Sequence, residues 1–195
     1  MHTPPHLINY LLIGVLIFLL MYFTVIFNNL ISLKNNVKKA WANIDVLLKQ
    51  RHDELPKLVQ TCQQYMEYEK PTLESITQAR SLAMKAREQG DIAALGKAEF
   101  QLKDTLGHLF ALAENYPDLK TNQTFIHLQE RISGLENSIA DRRELYNESV
   151  TLNNIRLEQF PDLIIGKLFC FKNFIPLEFT PAETADVDIS ASFKK

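Results

Sequence analysis

The sequence predicts an all-α protein in which one N-terminal transmembrane helix precedes an antiparallel bundle of three or four long helices. Three observations predict this fold class. Residues 1–33 carry no charged side chain. Beyond residue 29, apolar residues recur three and four positions apart, which places them on one face of a helix. Only six glycines and eight prolines interrupt the 195 residues, which suits long helices better than many short strands.

Residues 7–27 form the predicted membrane span. This stretch is almost wholly apolar, and as a helix it is roughly 31 Å long, about the thickness of a bilayer hydrocarbon core. A cleavable signal peptide would show a positive start, a shorter apolar core and a small-residue cleavage site, which this segment lacks. A buried core helix would carry a polar stripe. We therefore predict an uncleaved anchor over residues 1–29.

Lysines lie on one side of this span only. None precedes it, whereas Lys34, Lys38 and Lys39 follow it closely, and the flank richer in Lys and Arg stays in the cytoplasm. Cys62 and Cys170 have no metal-type spacing and are more typical of reduced thiols than of a disulfide framework. We expect a single-pass protein of the inner (cell) membrane with its N-terminus outside and its bundle cytoplasmic.

The first bundle helix begins at residue 30 and contains two prolines. Its apolar stripe runs to residue 47 and resumes at residue 55. Pro56 has no amide to donate and would clash with the carbonyl of His52, so a kink or restart is expected there. A kink or restart is equally possible at Pro71. The bundle has three long helices if this segment is continuous and four if it breaks.

Turn and capping residues set the remaining helix boundaries. The Gly-Asp pair at residues 90–91 indicates a helix stop followed by an N-cap. The second helix closes at residues 115–118, where the residue before proline is pushed out of helical geometry. Thr121 or Asn122 can cap a third helix, which extends to about residue 158.

The segment after this third helix is unusually apolar. Residues 163–175 are spaced to permit a short amphipathic helix that contains Lys167 and Lys172. Docking across the bundle is the favoured interpretation, and lying on the membrane surface or binding a partner are the alternatives. From residue 176 onward Pro, Thr, Ser, Ala and Asp dominate, which predicts disorder. The predicted domains are an anchor (1–29), a helical bundle (30–175) and a disordered tail (176–195).

Charged and aromatic residues at unusual positions are candidate interaction or register-setting sites. Arg142 falls within the apolar stripe of the third helix and Arg51 at a phase slip of the first, where the simpler interpretation is that their charged ends reach water. A sharper hypothesis pairs Arg142 with Asp45 or Asp53 to fix the helix register. Trp41 lies too far from the span to anchor it, so core packing or a partner contact is expected. The full candidate set is Trp41, Asn43, Asp45, Arg51, Asp53, Tyr116, Arg142 and Tyr146.

No catalytic residue, cofactor or metal is expected. The chain has no glycine-rich phosphate loop, nucleophile elbow or His-Glu-x-x-His motif. Asp104 and His108 share a helix face at a spacing compatible with two metal ligands, yet no second histidine accompanies them. His127 lacks the cationic and glycine surroundings of a phosphotransfer histidine. A net charge of −2 gives no basic footprint, so nucleic acid is not an expected partner.

The stretch Val37–Val59, with its sequence VKKAWANIDVLLKQRHDELPKLV, resembles the LemA family of bacterial membrane proteins. Further agreement lies at Phe110–Lys120, Arg142–Asn147 and Phe160–Pro161, in the same order. The resemblance implies an N-terminal anchor and a helical bundle without established enzymatic activity. It also implies relatives that occur near membrane zinc proteases and phosphatase-like envelope domains, with one branch associated with magnetosome membranes.

We therefore expect a non-enzymatic interaction or scaffold protein of the bacterial cell envelope. One alternative is an accessory or regulatory subunit of a membrane protease, and a less favoured one is a histidine phosphotransfer bundle. The expected partners are the lipid bilayer and unknown membrane or envelope proteins, and the sequence leaves a homo-oligomer open.

Overall fold

The computed structural model describes residues 5–178, with side chains described from residue 9 onward. Every regular element in that range is an α-helix, which confirms the predicted fold class. The helices are α1 (Pro5–Gln63), α2 (Lys70–Gln89), α3 (Ile92–Ala113), α4 (Pro117–Lys120), α5 (Gln123–Glu158) and α6 (Asp162–Leu168).

Backbone packing divides the described chain into two compact units. Unit 1 holds α1 as far as Trp41 together with Glu148–Phe174. Unit 2 holds Ala42–Asn147 and the described residues from Ile175 onward. Both α1 and α5 therefore contribute residues to each unit. The domain boundaries predicted at residues 29 and 175 rest on composition and stay predictions.

The helix ends follow the predicted capping chemistry. Gly90 adopts the left-handed conformation, with φ of 67°, directly after α2. Asp91 caps α3 by accepting a hydrogen bond from the amide of Ala94 at 2.9 Å. Of the two cap candidates for α5, Asn122 fills the role, because its Oδ1 accepts the amides of Thr124 and Phe125 at 2.9 and 3.0 Å.

Pro56 does not interrupt α1, so the predicted restart at this position is wrong. A proline at position i leaves the carbonyl at i−4 without its helical donor. The carbonyl of His52 instead accepts a hydrogen bond from the Arg80 Nε at 2.8 Å. The chain leaves the helix only after Gln63, and Pro71 lies in the first turn of α2, where the missing amide has no helical acceptor to lose.

The core of unit 2 is a continuous apolar cluster contributed by α1 to α5. Its central leucines, such as Leu106 and Leu109, are at most 1% exposed, and full burial of one such side chain contributes about 1.5–3 kcal/mol. The short turn at residues 90–91 makes α2 and α3 antiparallel neighbours. The buried members are Leu55, Leu58, Cys62, Met66, Leu73, Ile76, Ala79, Leu102, Leu106, Leu109, Ala113, Leu119, Phe125, Leu128 and Ile132.

The core of unit 1 is much smaller. It includes a cluster of four buried residues, Ile26, Leu30, Leu157 and Ile165, against which Phe27 and Phe171 pack. Val37 and Val150 in the same unit are also buried. The helix predicted in the 163–175 segment is α6, which ends at Leu168, and the residues that follow are not helical.

Asparagine side chains hold the non-helical C-terminal segment in each unit. In unit 1, the Asn154 side-chain amide donates to the carbonyl of Phe174 at 2.9 Å and accepts its amide at 3.0 Å. In unit 2, Asn147 makes the same pair with Leu177 at 3.1 and 2.8 Å, and Leu177 is fully buried. Residues 176–178 of the predicted tail belong to this segment, and residues 179–195 lie outside the described residues.

Candidate functional site

The N-terminal part of α1 exposes an unbroken run of apolar side chains. The large apolar residues from Tyr10 to Val25 are between 37 and 73% exposed, and burial begins at Ile26. The most apolar window of this helix has a mean hydropathy of 2.6, and only 6% of it is buried. By length and composition, α1 is therefore able to cross a membrane, as predicted.

Unit 2 contains a group of ionisable side chains, here called the charge cluster: Arg51, His52 and Glu99, which are buried, and Glu136, which is 23% exposed. The first two are 2% exposed and Glu99 is fully buried. Arg51 forms an ion pair with Glu99 and also approaches the Oε1 of Glu136 at 3.3 Å. The His52 Nε2 lies 3.1 Å from the Oε1 of Glu99. The charge cluster thus ties α1 to both α3 and α5.

Burial determines the protonation state of His52. Loss of solvent around the ring, followed by the positive charge of Arg51, lowers the pKa of His52 to about 3. The imidazole is therefore neutral near pH 7, and since Glu99 accepts, the proton lies on Nε2. Burial also lowers the pKa of Arg51. Arg51, His52 and Glu99 are sealed from solvent, so their arrangement suits helix pairing rather than chemistry on a soluble substrate.

Asp45 has a different partner from the one the sequence suggested. The Arg87 guanidinium binds it through two hydrogen bonds, Nε to Oδ1 at 2.5 Å and Nη2 to Oδ2 at 2.8 Å. This bidentate contact lowers the pKa of Asp45 and raises that of Arg87. Arg142 and Asp53 are both exposed. The structure therefore joins α1 to α2 through Arg87, in place of the hypothesised Arg142–Asp45 pair.

The remaining candidate residues are spread over the structure rather than gathered at one site. Tyr116 donates its hydroxyl to the Oε1 of Glu69 at 3.0 Å. Tyr146 is 3% exposed and donates to the carbonyl of Ile175 at 2.9 Å. Trp41 is half-buried and Asn43 is exposed. Of the eight candidates, only Asp45 and Arg51 take part in the ion pairs described above.

The histidine and carboxylate positions considered for metal or phosphate chemistry lie on the surface. Asp104, His108 and His127 are all exposed. His127 lines an open groove of about 440 Å³ together with Lys57 and Arg131, and both cations bind Glu54, at 2.9 and 3.0 Å. Between residues 5 and 178, no group of three or more His, Cys, Asp or Glu side chains is arranged to hold a metal ion.

Comparison with known proteins places the chain in a family. The model of the LemA family matches residues 40–191. Magnetosome protein MamQ 2 of Paramagnetospirillum magneticum is 21% identical over 179 residues, which cover 80% of this chain and 66% of that protein. Protein LemA of Metamycoplasma hominis is 26% identical over 163 residues, which cover 84% of this chain and 74% of that protein.

The MamQ protein of Magnetospirillum gryphiswaldense is 21% identical over 169 residues, covering 75% of this chain and 62% of that protein. The chain thus spans slightly less than two thirds of the length of the magnetosome relatives that it matches. The family model covers more than half of the chain and includes α2 to α6. The chain therefore belongs to the LemA family.

Proposed function

We propose that this chain is a single-pass membrane protein whose helical bundle serves, without catalysis of its own, as an interaction or scaffold module of the bacterial cell envelope. The observation that carries the proposal is the exposed apolar part of α1. Its large apolar side chains from Tyr10 to Val25 are 37 to 73% exposed, and only 6% of the most apolar window is buried. An apolar surface of this size is unfavourable in water and favourable in lipid.

The same helix continues without a break into unit 2, where it supplies Arg51 and His52 to the charge cluster. The most unusual polar residues of unit 2 are thus used for helix pairing and are sealed from solvent. This arrangement supports a structural module rather than an enzyme. No contact among residues 5–178 favours the protease-subunit or the phosphotransfer alternative over this proposal.

Charge beside the span supports a cytoplasmic bundle. Lys34, Lys38 and Lys39 are all exposed on α1 shortly after the apolar segment ends, and such lysines are retained on the cytoplasmic side. The N-terminus then lies outside the cell membrane. The magnetosome relatives named above are consistent with a role at a membrane.

The topology can be tested with a single introduced cysteine. Cys62 is buried, and burial raises the pKa of its thiol to about 12, so it is a poor target for maleimides. A Cys170→Ser/Gln89→Cys variant then carries one reactive thiol at the exposed C-terminal end of α2. We expect carbonate-resistant membrane association, and labelling by an impermeant maleimide only after the cells are permeabilised. Labelling in intact cells would contradict the orientation, and full release by carbonate would contradict the anchor.

The interaction role can be tested by photo-cross-linking from the surface of unit 2. Val46, Leu82 and Phe100 are 55, 52 and 41% exposed, and a photoreactive phenylalanine at each position should trap partners in intact membranes. Exposed Lys103 on the same unit serves as the matched polar control. We expect discrete adducts from at least one apolar position, with a dimer-sized adduct identifying a second copy of this chain. Absence of adducts from all three would contradict the proposal.

A further inference from the structure

Helix α6 in unit 1 is fixed by its inner face. Ile165 is buried against Ile26 and Leu30. Asp162 is also buried and forms an ion pair with the Nη2 of Arg156 at 3.2 Å. On the same face, a side chain at Gly166 would press against Leu157. These contacts set the rotation of α6 about its axis, because they leave only one side of the helix facing outward.

The outer face of α6 is apolar as well. Ile164 and Leu168, four residues apart in α6, are 58 and 68% exposed, and Phe160 and Phe169, just outside the two ends of the helix, are 79 and 47% exposed. Side chains four apart lie above one another on a helix. Together these side chains form an exposed apolar stripe along α6, which meets α1 at Phe169. An amphipathic helix normally buries such a stripe, so something outside the described chain should cover it.

The position of this stripe identifies what covers it. The Phe169 ring lies 6.0 Å from the Phe23 ring and 4.8 Å from the Phe27 ring. Phe23 belongs to the exposed apolar segment of α1, about 5 Å of helix before burial begins at Ile26. The C-terminal end of α6 is therefore at the depth where α1 leaves the apolar layer.

Positive charge surrounds the same position. Lys167 and Lys172 are exposed on either side of Phe169. The Lys34 Nζ lies 5.6 Å from the centroid of the Phe171 ring. Asp162, the acidic residue of α6, is buried and paired. An apolar stripe bordered by lysines is the pattern of a helix that lies in the interface of a membrane with anionic lipid headgroups.

We infer that α6, with Phe160 and Phe169 at its ends, lies in the bilayer interface beside α1, with its outer apolar stripe between the lipids and its lysines at anionic headgroups. This inference rests on the proposed function, because it requires α1 to span the membrane. It adds a second, peripheral contact with lipid to the transmembrane anchor. A protein partner on this stripe is the competing occupant, and continuity with the apolar segment of α1 favours lipid.

Cys170 provides a probe at this position. It is exposed next to Phe169, whereas the other cysteine, Cys62, is buried. Bimane attached to Cys170 of the full chain, reconstituted in vesicles of phosphatidylcholine and phosphatidylglycerol, should be quenched by brominated acyl chains. The Ile164→Gln/Leu168→Gln variant should lose at least half of that quenching. The control, Val46→Gln/Leu82→Gln, removes equally exposed apolar residues from unit 2 and should leave the quenching unchanged.

The outcomes separate the inference from the proposed function. If the wild-type chain fails to float with the vesicles, the proposed anchor is overturned. If it floats but bimane at Cys170 is not quenched, the anchor stands and the interfacial placement of α6 is overturned, as it is if the control variant loses as much quenching as the test variant. We expect quenching to be weaker in vesicles of phosphatidylcholine alone, and equal quenching in both lipids would overturn the role assigned to the lysines.

Discussion

Unit 2 buries charge at its centre, whereas unit 1 leaves apolar side chains on its surface. In unit 2, Arg51 and Glu99 are almost completely removed from solvent within a large apolar core. In unit 1, the apolar core is smaller, while Ile164 and Leu168 are exposed. Each unit thus departs from the usual rule of polar outside and apolar inside, but in opposite directions.

The difference shows where each unit obtains its stability. In unit 2, the buried side chains of Arg51 and Glu99 form an ion pair with each other. Unit 1 buries fewer apolar residues than unit 2 and exposes apolar groups on α6 that a bilayer would cover. We therefore expect substitutions in the charge cluster to unfold the protein in any solvent, and substitutions on the outer face of α6 to act only in the presence of lipid.

The largest effect is expected from removing one partner of the buried ion pair. Arg51→Met leaves the carboxylate of Glu99 buried and uncompensated, which costs about 3–5 kcal/mol of unfolding free energy. Because both partners are buried, the double variant Arg51→Met/Glu99→Leu should recover most of this loss. Denaturation of the detergent-solubilised chain, followed by circular dichroism, measures both. Additive losses in the double variant would show that the two side chains are not coupled.

His52 should make the unfolding free energy depend on pH, with stability lost as the pH falls. The pKa of this histidine is lowered from 6.5 to about 3 in the folded state, so below pH 6.5 the unfolded chain binds a proton that the folded chain does not. The His52 contribution to stability is therefore complete above pH 6.5 and decreases as the pH falls toward 3, by at most about 1.4 kcal/mol per pH unit.

The control for this prediction is His52→Gln, which keeps a side-chain N–H for Glu99 but does not titrate. The difference between the two stability curves isolates the histidine from the carboxylates. A wild-type chain that instead gains stability relative to the variant as the pH drops through 6.5 would mean that His52 is charged and paired with Glu99.

The residues of the charge cluster interrupt the apolar stripes of the sequence, but apolar periodicity alone does not predict that they pair. On the buried face of α3, Glu99 lies between the apolar residues Leu95 and Leu102. The phase slip of α1 contains Arg51 and His52 in the same way. Opposite charges filling gaps in two apolar stripes predict a buried ion pair. Whether the charged position on α1 faces the charged position on α3 depends on the register of the two helices. Neither apolar stripe specifies that register.

Other features depend on contacts distant in sequence. Pro56 leaves the carbonyl of His52 without a helical donor, but the donor that satisfies this carbonyl lies 28 residues away in sequence, at Arg80. The alternatives for residues 163–175 could not be decided either, since the inward face of α6 is set by Ile165 packing on Ile26 and Leu30. The helix stop at Gly90 and the N-cap at Asp91 depend on neighbouring residues alone, and the structure confirms both predictions.

A smaller loss of unfolding free energy is expected from removing the hydrogen bond between Arg80 and the His52 carbonyl, which allows Pro56 inside α1. Arg80→Met removes the donor to the His52 carbonyl and leaves a partly buried acceptor unpaired, at a cost of about 1–3 kcal/mol. In a Pro56→Ala background the amide of residue 56 can donate to this carbonyl, so the same substitution should cost less than half as much. A double-mutant cycle on the unfolding free energy measures the coupling, and equal costs in the two backgrounds would refute it.

The smallest change in unfolding free energy is expected from substitutions on the outer face of α6. A near-zero change there would distinguish unit 1 from unit 2. Ile164→Gln/Leu168→Gln changes side chains that are 58 and 68% exposed, so in detergent the unfolding free energy should stay within about 0.5 kcal/mol of wild type. Leu106→Gln in unit 2, at a position 1% exposed, is the matched control and should lose several times more. If the α6 pair were equally destabilising in detergent, its stripe would be part of a protein core, and the apolar surface of unit 1 would need no lipid to explain it.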